Sequence, residues 1–427
     1  EAYNGESFIQ SFDLIEQISS GVEISFDKKT FRVNKDFSFS PNITSNRTIS
    51  GDIVFVGYGI EEEGFSSYEN IDVKGKAVFI LNDLPKKKTL KSSWKMKQRI
   101  ELAKKKGATA VMYYVANLDE MLKKYEHYFL KPRMKLASEL NDEDLPIIKA
   151  TKAMAESFFE DEKLSLSKLQ KKGLKKNKTF TKEYTLKINK PTEKLTGENV
   201  LAYIPGTSKK EELVVLTAHY DHIGIDDSLV FNGADDDGTG TVTLLELAEA
   251  FMQAKVDGHG LKRSILIMPV SGEEKGLLGS KYYTENPIFP LENTVSNLNI
   301  DMIGRYDESH KKDSNYVYII GSDKLSSELH ELSEGVNDLY INTKLDYTFN
   351  DENDPNRFYY RSDHYNFAKN NIPVIFYFSG VHEDYHKSTD TVEKIDFNKT
   401  ERIARLVFYT AWELANREER IKVDMLD

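Results

Sequence analysis

The stretch ELVVLTAHYDH, residues 212–222, decides the fold because an unbroken apolar run in it ends in polar residues. Continuous apolar runs of this length are typical of strands that are buried on both faces of a parallel sheet. His219 and Asp221 stand two residues apart at the end of the run, so an extended strand points both side chains to one face. In an open α/β sheet the binding crevice lies at the carboxyl ends of the strands. The stretch therefore predicts a buried strand with functional residues at its end.

Three further stretches repeat this arrangement, with acidic residues or a histidine at or beyond the end of an apolar run. They are SILIMPVSGEE (264–274), VSNLNIDMIG (295–304) and IPVIFYFSGVHEDYH (372–386). Between the run at 212–222 and the run at 264–274 lies TVTLLELAEAFMQAK (241–255), whose apolar residues share one helical face. Alternating strands and helices predict an α/β fold with a mainly parallel sheet sandwiched by helices. The polar residues that end the three runs are Glu273, Glu274, Asp301 and His386.

The first 180 residues have a different pattern, with short strands between glycine-containing turns and lysine-rich segments. These strands are predicted in SGDIVFVGYGI (50–60), DVKGKAVFILND (72–83) and GATAVMYYV (107–115). The polar stretch LQKKGLKKNKTFTKEYT (169–185) is typical of a junction. We therefore predict a smaller β-rich domain inserted into the larger one. The predicted ranges are 44–178 for the insertion, and 1–43 with 179–427 for the larger domain.

Charge and composition exclude some kinds of partner. The net charge of −11 disfavours nucleic acid, because neutralising phosphates requires a basic surface. In the basic run at 84–107 the lysines stand beside apolar residues at helical spacing, which predicts a solvated amphipathic helix rather than an anion site. No segment approaches the roughly 18 apolar residues of a membrane span. Because the chain begins at Glu1 and no apolar leader follows, we expect a processed or trimmed form.

The acidic loop FNGADDDGTG (231–240) places Asp235, Asp236 and Asp237 side by side. Neighbouring carboxylates repel one another unless positive charge lies among them. Capping of the following helix accounts for one of the three, and the spacing does not match an EF-hand. A divalent cation removes the repulsion, most effectively when one carboxylate is shared by two cations. Since the sequence has no cysteine, such a cation has to be held by histidines and carboxylates.

The strand ends supply the remaining ligands. Asp221 is placed to accept the second N–H of His219 and so to fix its tautomer, although a core histidine satisfied by an acid would look the same. The adjacent pair Glu273 and Glu274 can provide one ligand and one general base. Nitrogen and oxygen ligands of this kind suit zinc, with cobalt or manganese as substitutes, and five of them suit a metal pair about 3.5–4 Å apart. The five ligands are His219, one aspartate of the triplet, one glutamate of the pair, Asp301 and His386.

In their order along the chain, these motifs resemble the co-catalytic di-zinc exopeptidases, the clan MH metallopeptidases that include bacterial aminopeptidases and glutamate carboxypeptidase. The first lobe resembles the protease-associated domain inserted in some members, on DVKGKAVFILND (72–83) and AKKKGATAVMYYV (103–115). The resemblance implies the zinc exopeptidase fold. The matching segments are AHYDH (218–222), NGADDDGTG (232–240), SGEEKGLLGS (271–280), NIDMIGR (299–305), RSDHYNF (361–367) and DYHKSTDT (384–391).

The resemblance also implies roles for single residues and two zinc ions per chain. Glu273 is expected to be the general base, and Asp221 is expected to orient His219. Asp237 would support the bridging ligand, and either Tyr359 or Tyr360 would stabilise the oxyanion. The implied metal ligands are His219 and Asp301 for one zinc, Glu274 and His386 for the other, and Asp236 as the bridge.

The leading hypothesis is an aminopeptidase that hydrolyses the N-terminal residue of peptides. A carboxypeptidase acting on acidic dipeptides is an alternative, which would need a cluster formed by Arg305, Arg357 and Arg361. A receptor-like binding protein that has lost catalysis is disfavoured because all five ligands and the base are present. Glutaminyl cyclase is disfavoured because such enzymes work with one zinc. Export to the periplasm or the medium is expected by resemblance alone.

Overall fold

The computed structural model describes residues 2, 5–18, 20–40, 43, 45–84, 93–126, 129, 131–140, 143–162, 164–172, 179–311 and 313–425. Two compact units make up the chain. The N-terminal unit is Leu14–Leu195, and the C-terminal unit combines Glu1–Asp13 with Thr196–Asp427. The predicted boundary residues 44 and 178 lie outside the described residues.

The N-terminal unit is built from short strands and short helices. Its strands, the first and last of which extend beyond the unit in sequence, are β1 (Ile9–Gln17), β2 (Val22–Phe26), β3 (Lys29–Arg32), β4 (Phe37–Phe39), β5 (Arg47–Phe55), β6 (Glu61–Glu62), β7 (Phe65–Ser66), β8 (Ala77–Ile80), β9 (Ala110–Tyr114), β10 (Arg133–Leu136), β11 (Ile147–Ala150), β12 (Thr181–Ile188) and β13 (Thr192–Val200). Its helices are α1 (Met96–Lys105), α2 (Leu118–Lys124), α3 (Lys152–Phe159) and α4 (Leu166–Lys172).

The main sheet of this unit has eight strands in the order β3-β2-β12-β5-β8-β9-β11-β4. Strand β12 pairs antiparallel with both β2 and β5, so it lies in the interior of the sheet. The compact unit is therefore wider than the predicted range 44–178 on both sides. The alternation of exposed and buried residues in β12 is that of a strand with one face in the core, although the stretch around it is polar.

Helix α1 lies in the basic run. The predicted amphipathic helix is confirmed over residues 96–105, where Lys97, Lys104 and Lys105 are exposed and Ala103 is buried. Residues 85–92 of the run lie outside the described residues.

The C-terminal unit contains the four apolar runs of the sequence. Its further strands are β14 (Ala202–Ile204), β15 (Lys209–His219), β16 (Gly224–Asp226), β17 (Leu229–Phe231), β18 (Arg263–Val270), β19 (Thr294–Ile300), β20 (Tyr316–Ile320), β21 (Lys344–Asp346) and β22 (Val374–Phe378). Its helices are α5 (Gly240–Val256), α6 (Leu278–Glu285), α7 (Ser327–Val336), α8 (His364–Ala368) and α9 (Phe397–Asn416).

The seven-stranded sheet of this unit has the order β14-β18-β15-β19-β22-β20-β21. Its four central strands β18, β15, β19 and β22 are parallel, as the apolar runs predict. In register, Val215 of β15 lies between Leu266 of β18 and Asn297 of β19. Strand β14 is antiparallel to β18, and β20 is antiparallel to β22, so the sheet is mixed with a parallel centre.

Helices cover both faces of this sheet. Val214 and Leu216 of β15 face a core shared with α5 and α9, whereas Leu213 and Val215 face a second core shared with α6 and α8. This alternation follows from the two-residue period of a strand. It explains why β15 is apolar throughout its second half, and it confirms the predicted sandwich.

Within the described ranges, no helix combines the length and the apolar character that crossing a membrane requires.

Candidate metal centre

Four neighbouring strand ends carry the predicted ligands. Strand β15 ends at His219, and Asp301 follows β19 directly. Glu274 follows β18, and His386 lies in the loop after β22. Because these strands are parallel neighbours, their carboxyl ends meet at one edge of the sheet. The structure thereby brings together side chains that are up to 167 residues apart, which is the difference between 386 and 219.

Asp236 lies between two histidines. Its Oδ1 is 3.2 Å from Nε2 of His219, and its Oδ2 is 3.1 Å from Nε2 of His386. Beyond it, Asp301 Oδ1 is 3.9 Å from His219 Nε2, and Glu274 Oε2 is 3.3 Å from His386 Nε2. We call the group of His219 and Asp301 the His219 site and the group of Glu274 and His386 the His386 site. The two sites share the Asp236 carboxylate, which is the arrangement that the resemblance implied.

Unpartnered polar atoms converge on the His386 site. Asp236 Oδ2, Glu274 Oε1 and both ring nitrogens of His222 are buried and lack a hydrogen-bond partner among the residues that the structure describes. Buried polar atoms are rarely left unpaired, because each loses its hydration without compensation. A cation held by Asp236 Oδ2, Glu274 Oε1 and one ring nitrogen of His222 would satisfy three of these atoms together. Imidazole and carboxylate ligands without thiolate fit zinc.

The pKa values of His219 and His386 reflect the same excess of negative charge. Burial opposes protonation of His219, yet the carboxylates of Asp236, Glu273 and Asp301 around it raise its pKa well above the usual value. Burial also opposes the charged form of His386, but Asp236 and Glu274 raise its pKa. In the absence of metal the two histidines thus carry protons that offset the carboxylates. Cations at the same places would offset that charge instead.

Asp237 has a different task from its neighbour Asp236. Its Oδ1 accepts hydrogen bonds from the backbone N–H of Gly240 at 2.9 Å and of Met302 at 3.1 Å. Its Oδ2 accepts from the N–H of His219 at 3.2 Å. Asp237 also lies near His219 and Asp301, but its oxygens are already engaged by these donors, whereas Asp236 directs an oxygen to each histidine. Asp237 ties the ends of β15 and β19 to the start of α5.

Gly240 makes this contact possible. A Cβ atom at this position would lie 2.4 Å from Oδ2 of Asp237, a distance that no side chain tolerates. The glycine after the acidic triplet is therefore required by the approach of the carboxylate to the first turn of α5.

Asp235, the first aspartate of the triplet, also forms hydrogen bonds within the protein. Its Oδ1 accepts hydrogen bonds from the N–H of Gly304 at 2.6 Å and from the Thr239 hydroxyl at 3.0 Å. Its backbone N–H donates to Asp390 Oδ2 at 3.0 Å. The three carboxylates of the loop therefore have three separate environments.

Asp221 holds His219 in a manner that differs from the expectation. His219 Nδ1 lies 2.9 Å from the backbone carbonyl oxygen of Asp221, whereas the nearest carboxylate oxygen is 3.9 Å away. The carboxylate instead accepts from the N–H groups of Glu273 at 3.1 Å and Glu274 at 3.4 Å. The expected contact between the Asp221 carboxylate and His219 is thus corrected: the main chain of Asp221 faces the imidazole, and its side chain positions the glutamate pair.

Asp301 is oriented by the RSDH motif. Ser362 donates its hydroxyl hydrogen to Asp301 Oδ2 at 2.6 Å, and Asn299 Nδ2 donates to Ser362 Oγ at 2.8 Å. These contacts leave Oδ1 of Asp301 turned toward His219. Ligating carboxylates are commonly fixed by hydrogen bonds of this kind.

A small pocket adjoins the ligands. Glu273, Asp236 and Asp301 form its polar side, and desolvation raises the pKa of the Glu273 carboxyl well above its usual value. The apolar side of the pocket consists of Met302, Phe358, Phe376, Phe378 and Val381. The pocket therefore combines a proton acceptor with a surface that suits an apolar side chain.

The tyrosines predicted to stabilise an oxyanion lie elsewhere. Neither Tyr359 nor Tyr360 belongs to the described residues that line the pocket. Tyr359 packs near Gly321, and Tyr360 is 44% exposed. Tyr385 lines the pocket instead, stacked on His386 with ring centroids 3.8 Å apart. The expectation that Tyr359 or Tyr360 stabilises the oxyanion is therefore corrected in favour of Tyr385. The sequence signal for Tyr385 was its position directly before the predicted ligand His386.

His222 was also missed. Its Nδ1 lies 2.8 Å from Glu274 Oε1 and 3.9 Å from Asp236 Oδ2. The signal was in the first motif, where His222 stands one residue after Asp221.

The three arginines of the carboxypeptidase alternative do not form a cluster. Arg305 pairs with Asp384 at 3.0 Å, and the Arg357 guanidinium lies 4.7 Å from the ring centroid of Tyr360. Arg361 lies over the Phe358 ring at 5.0 Å and, of the arginines in the described part of the chain, is the one that lines the pocket.

The chain is similar to known proteins over its C-terminal half. Residues 199–411 match the family model described as Peptidase family M28. Leucine aminopeptidase 1 of Penicillium rubens is 29% identical over 225 residues, which cover 51% of this chain and 56% of that protein. Aminopeptidase YwaD of Bacillus subtilis is 28% identical over 247 residues, which cover 57% of this chain and 50% of that protein. The chain thus spans about half the length of the curated relatives it matches.

Among solved structures, the aminopeptidase from Aneurinibacillus sp. strain AM-1 is similar with a TM-score of 0.52 and 18% identity. The match covers 98% of this chain and 86% of that one, and at this identity it establishes the fold alone. Since the family match begins at residue 199, the protease-associated resemblance of the N-terminal unit stays a prediction.

We predict that Asp237→Ala lowers the free energy of unfolding of the chelator-treated protein by about 3 kcal/mol or more. Three backbone donors lose their acceptor, and each buried donor left unpaired costs about 1–3 kcal/mol. Denaturant unfolding measures the change, and Asp338→Ala on an exposed site is the control. Equal effects of the two substitutions would contradict the role given to Asp237.

Proposed function

Since residues 199–411 belong to peptidase family M28, we propose that the chain is a zinc-dependent aminopeptidase that uses two zinc ions to hydrolyse the first peptide bond of peptides. One observation carries the proposal, namely that Asp236 lies between His219 and His386 with an oxygen directed to each. A carboxylate shared in this way is typical of metal pairs. The names of the aminopeptidases described above support the same reaction.

His219, Asp236 and Asp301 would hold one zinc ion, and Asp236, Glu274 and His386 would hold the other. Bound zinc supplies Lewis acidity toward a carbonyl oxygen and lowers the pKa of water. Contacts around the ligands would keep them in place, with Ser362 on Asp301 and the Asp221 backbone on His219. Ligands fixed in this way do not need to reorganise during the reaction.

Glu273 is the proposed general base. Its position in the pocket beside Asp236 and Asp301 allows it to take a proton from the attacking water. Desolvation, with nearby carboxylates such as Asp301, raises its pKa, so the proton is held long enough to be passed to the leaving amine. The N–H of Glu273 is fixed by Asp221 at 3.1 Å, which limits the movement of this residue.

Tyr385 is the proposed donor to the developing oxyanion. Burial raises the pKa of its hydroxyl, so this group stays protonated near neutral pH and can donate a hydrogen bond. Its ring is fixed by stacking on His386. A preorganised donor stabilises the negative charge of a tetrahedral intermediate.

The pocket favours an apolar first residue of the substrate. Met302, Phe358 and Phe376 contribute to its apolar surface, which fits a leucine or phenylalanine side chain better than a carboxylate. A carboxypeptidase acting on acidic dipeptides would need positive charge in this place. Arg361 lines the pocket but lies over the Phe358 ring, and Arg305 and Arg357 are engaged elsewhere. A single arginine is not the cluster that the carboxypeptidase needs, so the aminopeptidase is the better supported of the two.

We predict that the zinc-loaded protein contains about two zinc ions per chain and hydrolyses leucine p-nitroanilide, and that a chelator abolishes this activity until zinc is restored. Glu273→Gln should lower kcat by at least about 100-fold, because general base catalysis contributes on that scale, while both zinc ions remain. Metal analysis and steady-state kinetics measure these effects. Glu246→Gln, on an exposed face of α5, is the control. Full activity of Glu273→Gln would refute the assigned base.

We further predict that kcat/KM for leucine and phenylalanine p-nitroanilides exceeds that for the aspartate derivative by about tenfold or more, since apolar pockets discriminate on this scale. N-acetylated dipeptides should resist hydrolysis, because an aminopeptidase requires the free amine. A panel of such substrates measures both. Preferred release of a C-terminal acidic residue from a blocked dipeptide would favour the carboxypeptidase.

A further inference from the structure

We propose that His222 is a direct ligand of the cation in the His386 site, so that this site has four protein ligands where the His219 site has three. The inference rests on the proposed function insofar as it assumes a metal pair. It assigns to this chain an asymmetry between the two sites. The ligands of the His386 site would be Asp236, Glu274, His386 and His222.

The burial of His222 is the first argument. Its side chain exposes 9% of its surface, and neither ring nitrogen has a hydrogen-bond partner among the described residues. Although Nδ1 lies 2.8 Å from Glu274 Oε1, the two atoms are not aligned as donor and acceptor, since both remain unpartnered. One ligand atom from each of His222, Asp236 and Glu274 lies within 4.8 Å of the other two, so a single cation can be held by all three.

The spacing of the polar atoms is the second argument. Ligands about 2.0–2.1 Å from a tetrahedral zinc lie roughly 3.3 Å from one another. His386 Nε2 lies 3.1 Å from Asp236 Oδ2 and 3.3 Å from Glu274 Oε2. His222 Nδ1 lies 2.8 Å from Glu274 Oε1 and 3.9 Å from Asp236 Oδ2. The His222 and His386 nitrogens thus approach the same oxygen of Asp236 and opposite oxygens of Glu274, at distances that lie around the value for ligands of one ion.

The acidic loop leaves room for the ring of His222. A Cβ atom on Gly233 would lie 2.6 Å from Cγ of His222, so any other residue at this position would displace the imidazole. Gly233 has a φ of +61°, which also favours glycine. The loop that supplies the bridging Asp236 thus also makes space for His222.

A site with four protein ligands holds its ion differently from one with three. Closed tetrahedral sites retain zinc, whereas sites with an open position bind water or substrate. With His222 bound, the His386 site would keep its zinc more tightly, and the His219 site would be the more open of the two. Zinc should consequently bind in two resolved steps.

The experiment uses the full chain with cobalt or zinc as the only added ligand. His222→Ala and His222→Asn are compared with the wild type and with His259→Ala, a substitution at an exposed histidine. Circular dichroism and the thermal midpoint in chelator establish that each variant folds. Zinc affinity comes from competition with a chromophoric chelator, and imidazole ligands are counted as paramagnetically shifted N–H resonances of the dicobalt protein.

We expect three shifted imidazole resonances in the wild type and in His259→Ala, and two in both His222 variants. We also expect one of the two zinc affinities to fall by more than about 100-fold, beyond the 10–100-fold typical of residues that only support a ligand. An unchanged number of resonances would overturn the proposal, whether or not the affinity falls. If the wild type itself binds no zinc, the proposed function fails. If it binds two and the His222 variants match it, the proposed function stands and the role of His222 is refuted.

Discussion

The sharing of one buried carboxylate between two histidines is the interaction on which the rest of the structure depends. Asp236 is 3% exposed and lies within a cluster that includes Asp301, Glu274 and Glu273. Carboxylates brought this close in a desolvated place repel one another, and positive charge among them stabilises the cluster. Protonated histidines provide that charge in the metal-free chain, and a pair of cations would provide it in the active one.

The fold satisfies this constraint by placing the ends of four parallel strands side by side and by fixing the loops beyond them. Met302 and His386 have φ values of +57° and +55°, in the left-handed region that side chains other than glycine seldom adopt. Such conformations persist where the surrounding contacts determine them, and they concentrate at functional sites. The backbone donors that engage Asp237 and Asp235 perform this fixing around the acidic loop.

Much of the C-terminal fold could be predicted from the sequence, because a strand buried on both faces must be apolar throughout. The runs that became β15, β18, β19 and β22 show this directly. The positions of β14 and β20 in the sheet could not be predicted in the same way, since the sequence of a short strand does not indicate which strand it pairs with. Strand β12 lies beyond the predicted range because it alternates polar and apolar residues within a polar stretch, which is also the composition of a junction.

Within the candidate site, the ligands that follow strand ends could be predicted, whereas the residues whose positions depend on a loop were harder to predict. His219, Asp301 and Glu274 follow strands closely, and their positions are dictated by the sheet. Tyr385 and His222 depend on how a loop turns, which residue spacing does not encode. The role of Asp221 shows the same limit, since its carbonyl and its carboxylate were both within reach of His219.

Anomalous diffraction from crystals of the zinc-loaded chain, recorded on both sides of the zinc edge, tests the central claim most directly. We expect two peaks about 3.5–4 Å apart with the Asp236 carboxylate between them; a single peak, or peaks away from Asp236, would contradict the shared carboxylate.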